Sequence, residues 1–207
     1  ANSFIYNLEH SDIYDEATND DYATLTQYMG EAKVIRAMLY FELMCYWGDV
    51  PFTLEPSSVT QDFTPDITSR DEIAKELIED LEEIAPKMKS VSEISEGIER
   101  VSQEACWAMI ARIGLQAAGY SLRHTDGDQT SYGYMGKPSA SDEEWFLTKA
   151  RDYCDMVIAS GSHELGNAYQ DVFLNECNMK VISNDDPIFE IPFAIEASGS
   201  IGYRQGP

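Results

Sequence analysis

The sequence predicts an all-α fold of stacked helix pairs joined by long loops, with one short strand near the C-terminus. Three observations carry that expectation. Segments 34–47 and 105–120 are apolar on nearly every face, segments 70–85 and 141–160 carry a single apolar stripe, and the two kinds alternate along the chain. A helix that is apolar all round must be covered all round, whereas a one-stripe helix lies at the edge of a core.

In chain order, Thr24-x-x-Gln27 fits a capping box and predicts a helix start. From Val34 to Trp47 only Arg36 and Glu42 carry charge, which makes this an inner helix. Gly48 can take the left-handed conformation that ends it, and Pro51 prevents its resumption. Ser69-x-x-Glu72 is a second capping box. After it, Ile73, Leu77, Ile78, Leu81 and Ile84 form one stripe, seven carboxylates and two bases fill the remainder, and Pro86 closes an outer helix. The segment Ala105–Tyr120 carries only Arg112, and its alanines at 105, 108 and 111 let a neighbour approach closely. A fourth helix begins near Ser141-x-x-Glu144, places Phe146, Ala150, Tyr153, Cys154 and Val157 on one face, and stops at Ser160-Gly161. The alternating run Ile188–Phe193 reads as a strand limited by Pro192.

The two helix pairs are an internal repeat whose ends lie about 71 to 75 residues apart. Helical-hairpin solenoids of the tetratricopeptide kind have a unit of about 34 residues, so each pair here carries an insertion, at 49–69 and within 121–142. Long connections are often functional, and these are where a ligand is expected.

Composition bounds the function. Of 207 residues 43% are hydrophobic and 25% charged, a globular balance, and the formal net charge of −23 repels nucleic acid and anionic lipid at long range. The longest apolar run, Ala105–Ala111, falls far short of the roughly 18 residues of a membrane span. The start at Ala1 suggests a processed or excised product. Cys45, Cys106, Cys154 and Cys177 form no C-x-x-C pair and have no His at zinc spacing, so no metal is expected, and they read as small buried hydrophobes. No cofactor is expected either. The three histidines and the lack of a G-x-S-x-G motif give no support to a hydrolase triad. A two-carboxylate glycosidase needs only acids, which abound; Asp185-Asp186 is the pair to test first.

The block Gly30-Glu31-Ala32-Lys33-Val34-Ile35-Arg36-Ala37-Met38-Leu39-Tyr40-Phe41-Glu42-Leu43, followed by Tyr46-Trp47-Gly48-Asp49-Val50-Pro51, resembles the SusD/RagB family of nutrient-binding outer-membrane lipoproteins. Further blocks keep the family's order: Ala1–Ile5; Arg100-x-Ser102 leading to Ala105, Ala108, Ala111-Arg112 and Leu115; Trp145, Ala150, Val157-Ile158 and Ser160-Gly161; and Ile188–Ile191. The resemblance implies a tetratricopeptide-like scaffold and a binder rather than an enzyme. It also implies a lipid-anchored position on the outer membrane, facing the cell exterior, of Bacteroidetes-type bacteria. Such proteins cap a TonB-dependent SusC-like transporter and hand it an oligosaccharide or, in some members, a peptide. Family members are longer, so residues 1–207 read as one helical-repeat domain lacking the family's N- and C-terminal portions, with the anchor outside this chain. A generic protein–protein scaffold and an all-α glycosidase are the alternatives.

Within that frame, Arg36 and Arg112 need carboxylate or carbonyl partners and read as structural ion pairs, with Glu31, Glu42 or Asp49 available to Arg36. Gly48-Asp49-Val50-Pro51 reads as a helix stop and turn. The ligand-binding candidates are His124, Asp126, Asp128, Tyr132 and Tyr134, in a loop mixing aromatic faces, glycines and hydrogen-bonding groups. A sugar ring needs this mixture, because its C–H face packs on an aromatic while its hydroxyls take polar partners. Asp126-x-Asp128-x-Thr130 lacks the Gly and closing Glu of a calcium loop. The loop 52–66, with Phe52, Asp62 and Phe63, is a second candidate for ligand or transporter contact.

Overall fold

A computed structural model describes residues 1–15, 21–124, 133–165, 170–172, 174 and 186–191. Its elements are α1 (Asn2–Glu9), α2 (Tyr22–Trp47), β1 (Val50–Pro51), α3 (Ser57–Thr60), β2 (Ile67–Thr68), α4 (Arg70–Ile84), α5 (Gln103–Ala117), β3 (Ser121–Arg123), β4 (Tyr134–Gly136) and α6 (Ala140–Ser160). The fold is helical, and the expected order of helix pairs is present.

The helix starts follow local chemistry. Ser69, Ser102 and Ser139 each accept a hydrogen bond from the backbone N–H three residues on, at 3.3, 3.2 and 3.2 Å, and so cap α4, α5 and α6. The first expected start is displaced: α2 opens at Tyr22, and Gln27 serves tertiary structure instead of a capping box. Its amide donates to the Val101 carbonyl at 2.8 Å and accepts from the Lys89 N–H at 2.9 Å, tying the segment 85–102 to α2. Gly48 ends α2 with φ +79°; a Cβ there would stand 1.9 Å from the Arg70 guanidinium, so both conformation and space require glycine.

The core lies where α2, α4, α5 and α6 meet in sequence order. Ile73, Leu77, Ile78 and Leu81 of α4 are fully buried, each contributing roughly 1.5–3 kcal/mol of transfer free energy. They pack with Met29, Val34, Ala37 and Phe41 of α2 and with Cys106, Ile110 and Ile113 of α5. Phe146 brings α6 into the same cluster. Gly114 permits the close α5–α6 crossing: its Cβ would lie 2.8 Å from the Phe146 carbonyl oxygen and 3.3 Å from the Ala150 nitrogen. The outer helices α4 and α6 are joined by Lys75–Asp142 at 2.5 Å and Lys149–Glu82 at 2.6 Å.

Each insertion contains a two-stranded antiparallel ladder. β1 pairs with β2 (Val50 opposite Thr68) and β3 with β4 (Leu122 opposite Met135), so the repeating unit is helix, ladder, helix. α1 adds Ile5 and Leu8 to the core along α2.

Three expectations need correction. Residues 188–191 form no strand; the Glu190 N–H makes one backbone bond to the Ile98 carbonyl at 2.9 Å, and no ladder forms there among the described residues. Neither inner helix is covered all round: on α2 Leu39 is 60% exposed, Tyr46 75% and Trp47 71%, and on α5 Leu115 is 64% exposed, so an apolar face of each stands open among the described residues. Of the cysteines only Cys106 is buried; Cys45 and Cys154 are exposed, and Cys177 lies outside the described residues. No described helix is long and apolar enough to cross a membrane.

Candidate ligand-binding surface

The β3–β4 ladder holds the ends of the segment 124–133. Arg123 stands opposite Tyr134, and the ladder closes through Leu122–Met135 to Ser121–Gly136. None of the ribbon's residues belongs to the buried apolar core, and Arg123, whose side chain is 9% exposed, ties it to the helices. The Arg123 Nε donates to the Gly136 carbonyl at 3.1 Å and a terminal nitrogen to the Ala117 carbonyl at 3.4 Å. Its other nitrogen pairs with Asp71 on α4. One guanidinium thus fixes strand, helix end and neighbouring helix together, using its rigid fork of donors. Burial raises the Asp71 carboxyl above its ordinary range, and the Arg123 charge opposes that rise.

Above this clamp the surface is aromatic. Tyr134 is 53% exposed, and its ring lies against Gly136, where a Cβ would meet Cε2 at 2.6 Å. Tyr120 is exposed beside it in sequence to β3, with the Lys137 ammonium 5.4 Å from its ring centre. Lys137 in turn pairs with Glu143 at the start of α6. Rings held this way offer flat apolar faces flanked by charged hydrogen-bonding groups, the chemistry a sugar ring requires.

Of the expected ligand residues, His124 follows β3 directly and is partly buried, and Tyr134 is on β4. Asp126, Asp128 and Tyr132 lie outside the described residues. Arg123 and Tyr120 were not anticipated. A lone cation at the base of a glycine-rich loop was the available signal for Arg123; Tyr120 was taken for the last residue of the inner helix, which ends at Ala117. In the other insertion, the Tyr40 hydroxyl accepts from the Thr53 N–H at 3.1 Å and its ring meets Phe52 edge-on at 4.8 Å, while Phe63 is exposed.

The signature residues are structural. Arg36, 4% exposed, donates to Asp80 at 2.6 Å and to the Leu54 carbonyl at 3.2 Å. Its partner is therefore neither Glu42, Glu31 nor Asp49: Glu31 binds Arg100 at 2.6 Å, and Asp49 accepts from the Arg70 N–H at 3.0 Å. Pro51 lies in β1 opposite Ile67. Arg112 is exposed and stacks over the Phe41 ring at 4.9 Å; no described carboxylate pairs with it. Asp185 is outside the described residues, and no group of described residues could hold a metal ion.

Helix pairs whose insertions carry aromatic surfaces define a helical-repeat binding scaffold. Residues 3–115, more than half of the chain, match the SusD-like family described as starch-binding and associating with the outer membrane, and the chain belongs to that family. A SusD-like protein from Formosa agariphila is 26% identical over 184 residues, covering 88% of this chain and 28% of its own length. A SusD superfamily protein from Parabacteroides distasonis superposes with a TM-score of 0.68 at 22% identity, over 94% of this chain and 35% of that one. A surface glycan-binding protein A from Bacteroides uniformis gives 0.56 at 20% identity, over 83% and 32%. The chain thus spans about a third or less of these relatives.

Proposed function

We propose that this chain captures a glycan outside the cell and passes it to a SusC-like TonB-dependent transporter. A lipid anchor holds it at the outer membrane. The ligand surface is the ribbon that presents Tyr134 and Tyr120 and the segment it brackets, with His124, Asp126, Asp128 and Tyr132 as polar and stacking partners. One observation carries this reading: Arg123 fixes the ribbon while leaving Tyr134 half exposed. Membership in a starch-binding family supports the sugar class. The chain breaks no bond.

Calorimetric titration with maltoheptaose, laminarihexaose, xylohexaose and cellohexaose tests it. Binding of at least one is expected, with Tyr132→Ala and Tyr134→Ala each weakening it by about 1 to 2 kcal/mol and helicity unchanged. Equal affinity in wild type and both variants, or no binding of any of the four, counts against this site. Release of new reducing ends would instead favour the glycosidase reading.

A further inference from the structure

We propose that Gly136 is a positioning residue for the glycan: having no side chain, it leaves the Tyr134 ring a seat on the ribbon and so sets the angle at which that ring meets a sugar. The inference rests on the sugar site proposed above and names the residue that aims its ring.

Residues two apart on a strand share a face, so Tyr134 and Gly136 lie on one side of β4. A Cβ at Gly136 would stand 2.6 Å from Cε2 of the Tyr134 ring, 3.1 Å from Cδ2 and 3.7 Å from Cζ. One edge of the ring therefore fills the space that a side chain at 136 would need, and Tyr134 is still 53% exposed. The backbone does not require glycine here. Gly48, Gly97 and Gly161 take positive φ, whereas Gly136 does not. Glycine weakens a strand, because it adds unfolded-state entropy and packs no side chain. What glycine provides in return at this position is room for the ring.

The seat does not yield. The Gly136 carbonyl accepts from the Arg123 Nε at 3.1 Å, and Gly136 stands opposite Ser121 in the ladder. With the backbone held in this way, a methyl group at 136 is accommodated by turning the Tyr134 ring to another rotamer rather than by moving the strand. Gly133 differs: a Cβ there would meet the aliphatic Leu122 side chain at 2.8 Å. A ring already ordered when the sugar arrives spares the complex the entropy of ordering it, so a residue can raise affinity by acting through its neighbour.

A double-mutant cycle in the protein of natural length tests this, with whichever of maltoheptaose, laminarihexaose, xylohexaose and cellohexaose it binds. Gly136→Ala should weaken binding about three- to tenfold, the loss expected when one side chain must be ordered by the ligand. In a Tyr134→Ala background the same change should have no further effect, because the ring it acts through is gone. Losses of equal size in both backgrounds, or none in either, overturn the role of Gly136 and leave the Tyr134 site standing. Binding of none of the four glycans removes the sugar site and this role with it. Backbone amide exchange at Leu122 and Met135 is the second reading. A ring that served only to cover the strand glycine would make Gly136 a matter of ribbon stability. Exchange in Gly136→Ala should match wild type while affinity falls; faster exchange there refutes the proposal.

Discussion

Asp80 on α4 receives two cations from α2, the Arg36 guanidinium at 2.6 Å and the Lys33 ammonium at 2.9 Å, all three side chains being no more than 11% exposed. A single buried carboxylate therefore faces two cations, Lys33 also reaches the exposed Glu83 at 3.8 Å, and Arg36 is further held by the Leu54 carbonyl and the Asn2 side-chain oxygen. This cluster fixes inner helix, outer helix and first insertion against one another.

Removing that carboxylate leaves Arg36 without a carboxylate partner and Lys33 with only the exposed Glu83 at 3.8 Å. Asp80→Asn should therefore destabilise the fold by about 3 kcal/mol or more, the cost of breaking a buried pair from one side. Urea unfolding followed by circular dichroism measures it, and a loss under about 1 kcal/mol would mean water reaches the cluster.

At the candidate site, Arg123→Gln should release the ribbon and leave Asp71 buried with no described cation of equal reach. Backbone amide exchange at Leu122 and Met135 should accelerate, and affinity for the bound glycan should fall although Arg123 itself is covered. The pH dependence follows from Asp71. Its folded carboxyl already titrates above the unfolded range because of burial, and losing Arg123 moves it further up. The folded variant then binds a proton that the unfolded chain does not, so its stability deficit is largest at neutral pH and shrinks as pH falls through the Asp71 pKa. A deficit that grows on acidification would contradict this assignment.

Gly114→Ala tests the helix crossing. In an exposed helix this change gains up to about 1 kcal/mol. Here the added methyl meets the backbone of Phe146 and Ala150 on α6, which cannot turn aside as a side chain can, so the variant should lose about 1 to 3 kcal/mol. An unchanged melting temperature would show that α6 shifts freely.

The Cys106 thiol is pushed up from 9.0 to about 12, first by burial and then by the Asp80 charge. It should resist alkylation at pH 8 while the exposed Cys45 reacts. Above pH 9 the unfolded thiol ionises and the folded one does not, so stability should decline from pH 9 toward 12. Cys106→Ala should flatten that decline; an identical slope would assign it to other groups.

Short-range chemistry was legible. The Ser69 cap, the Gly48 and Gly161 stops and the α4 stripe depend on residues a turn apart and were read directly, whereas α6 is capped by Ser139, two residues before the expected Ser141, and the Ser102 cap of α5 was not read. Partners were not: Asp80 lies 44 residues from Arg36 among 37 acids, and nothing local selects it. Gln27 was misread because a capping pattern and a tertiary clamp use the same amide. The exposed stripe of α2 was equally hidden, since sequence reports that a face is apolar and not what covers it. At the site, the loop's composition drew attention to Tyr134, whereas Arg123 gains meaning only from the ladder that sets it beside Asp71 and Gly136.

Because each ladder brings the two ends of its insertion together, the helices sense only a short closed base and not what is mounted on it. Beyond the ties that Phe52, Thr53 and Leu54 make to α2, the length and lettering of the insertions can change while α2, α4, α5 and α6 keep their packing. Such a frame lets what it carries be rewritten while its foundation stays as it was.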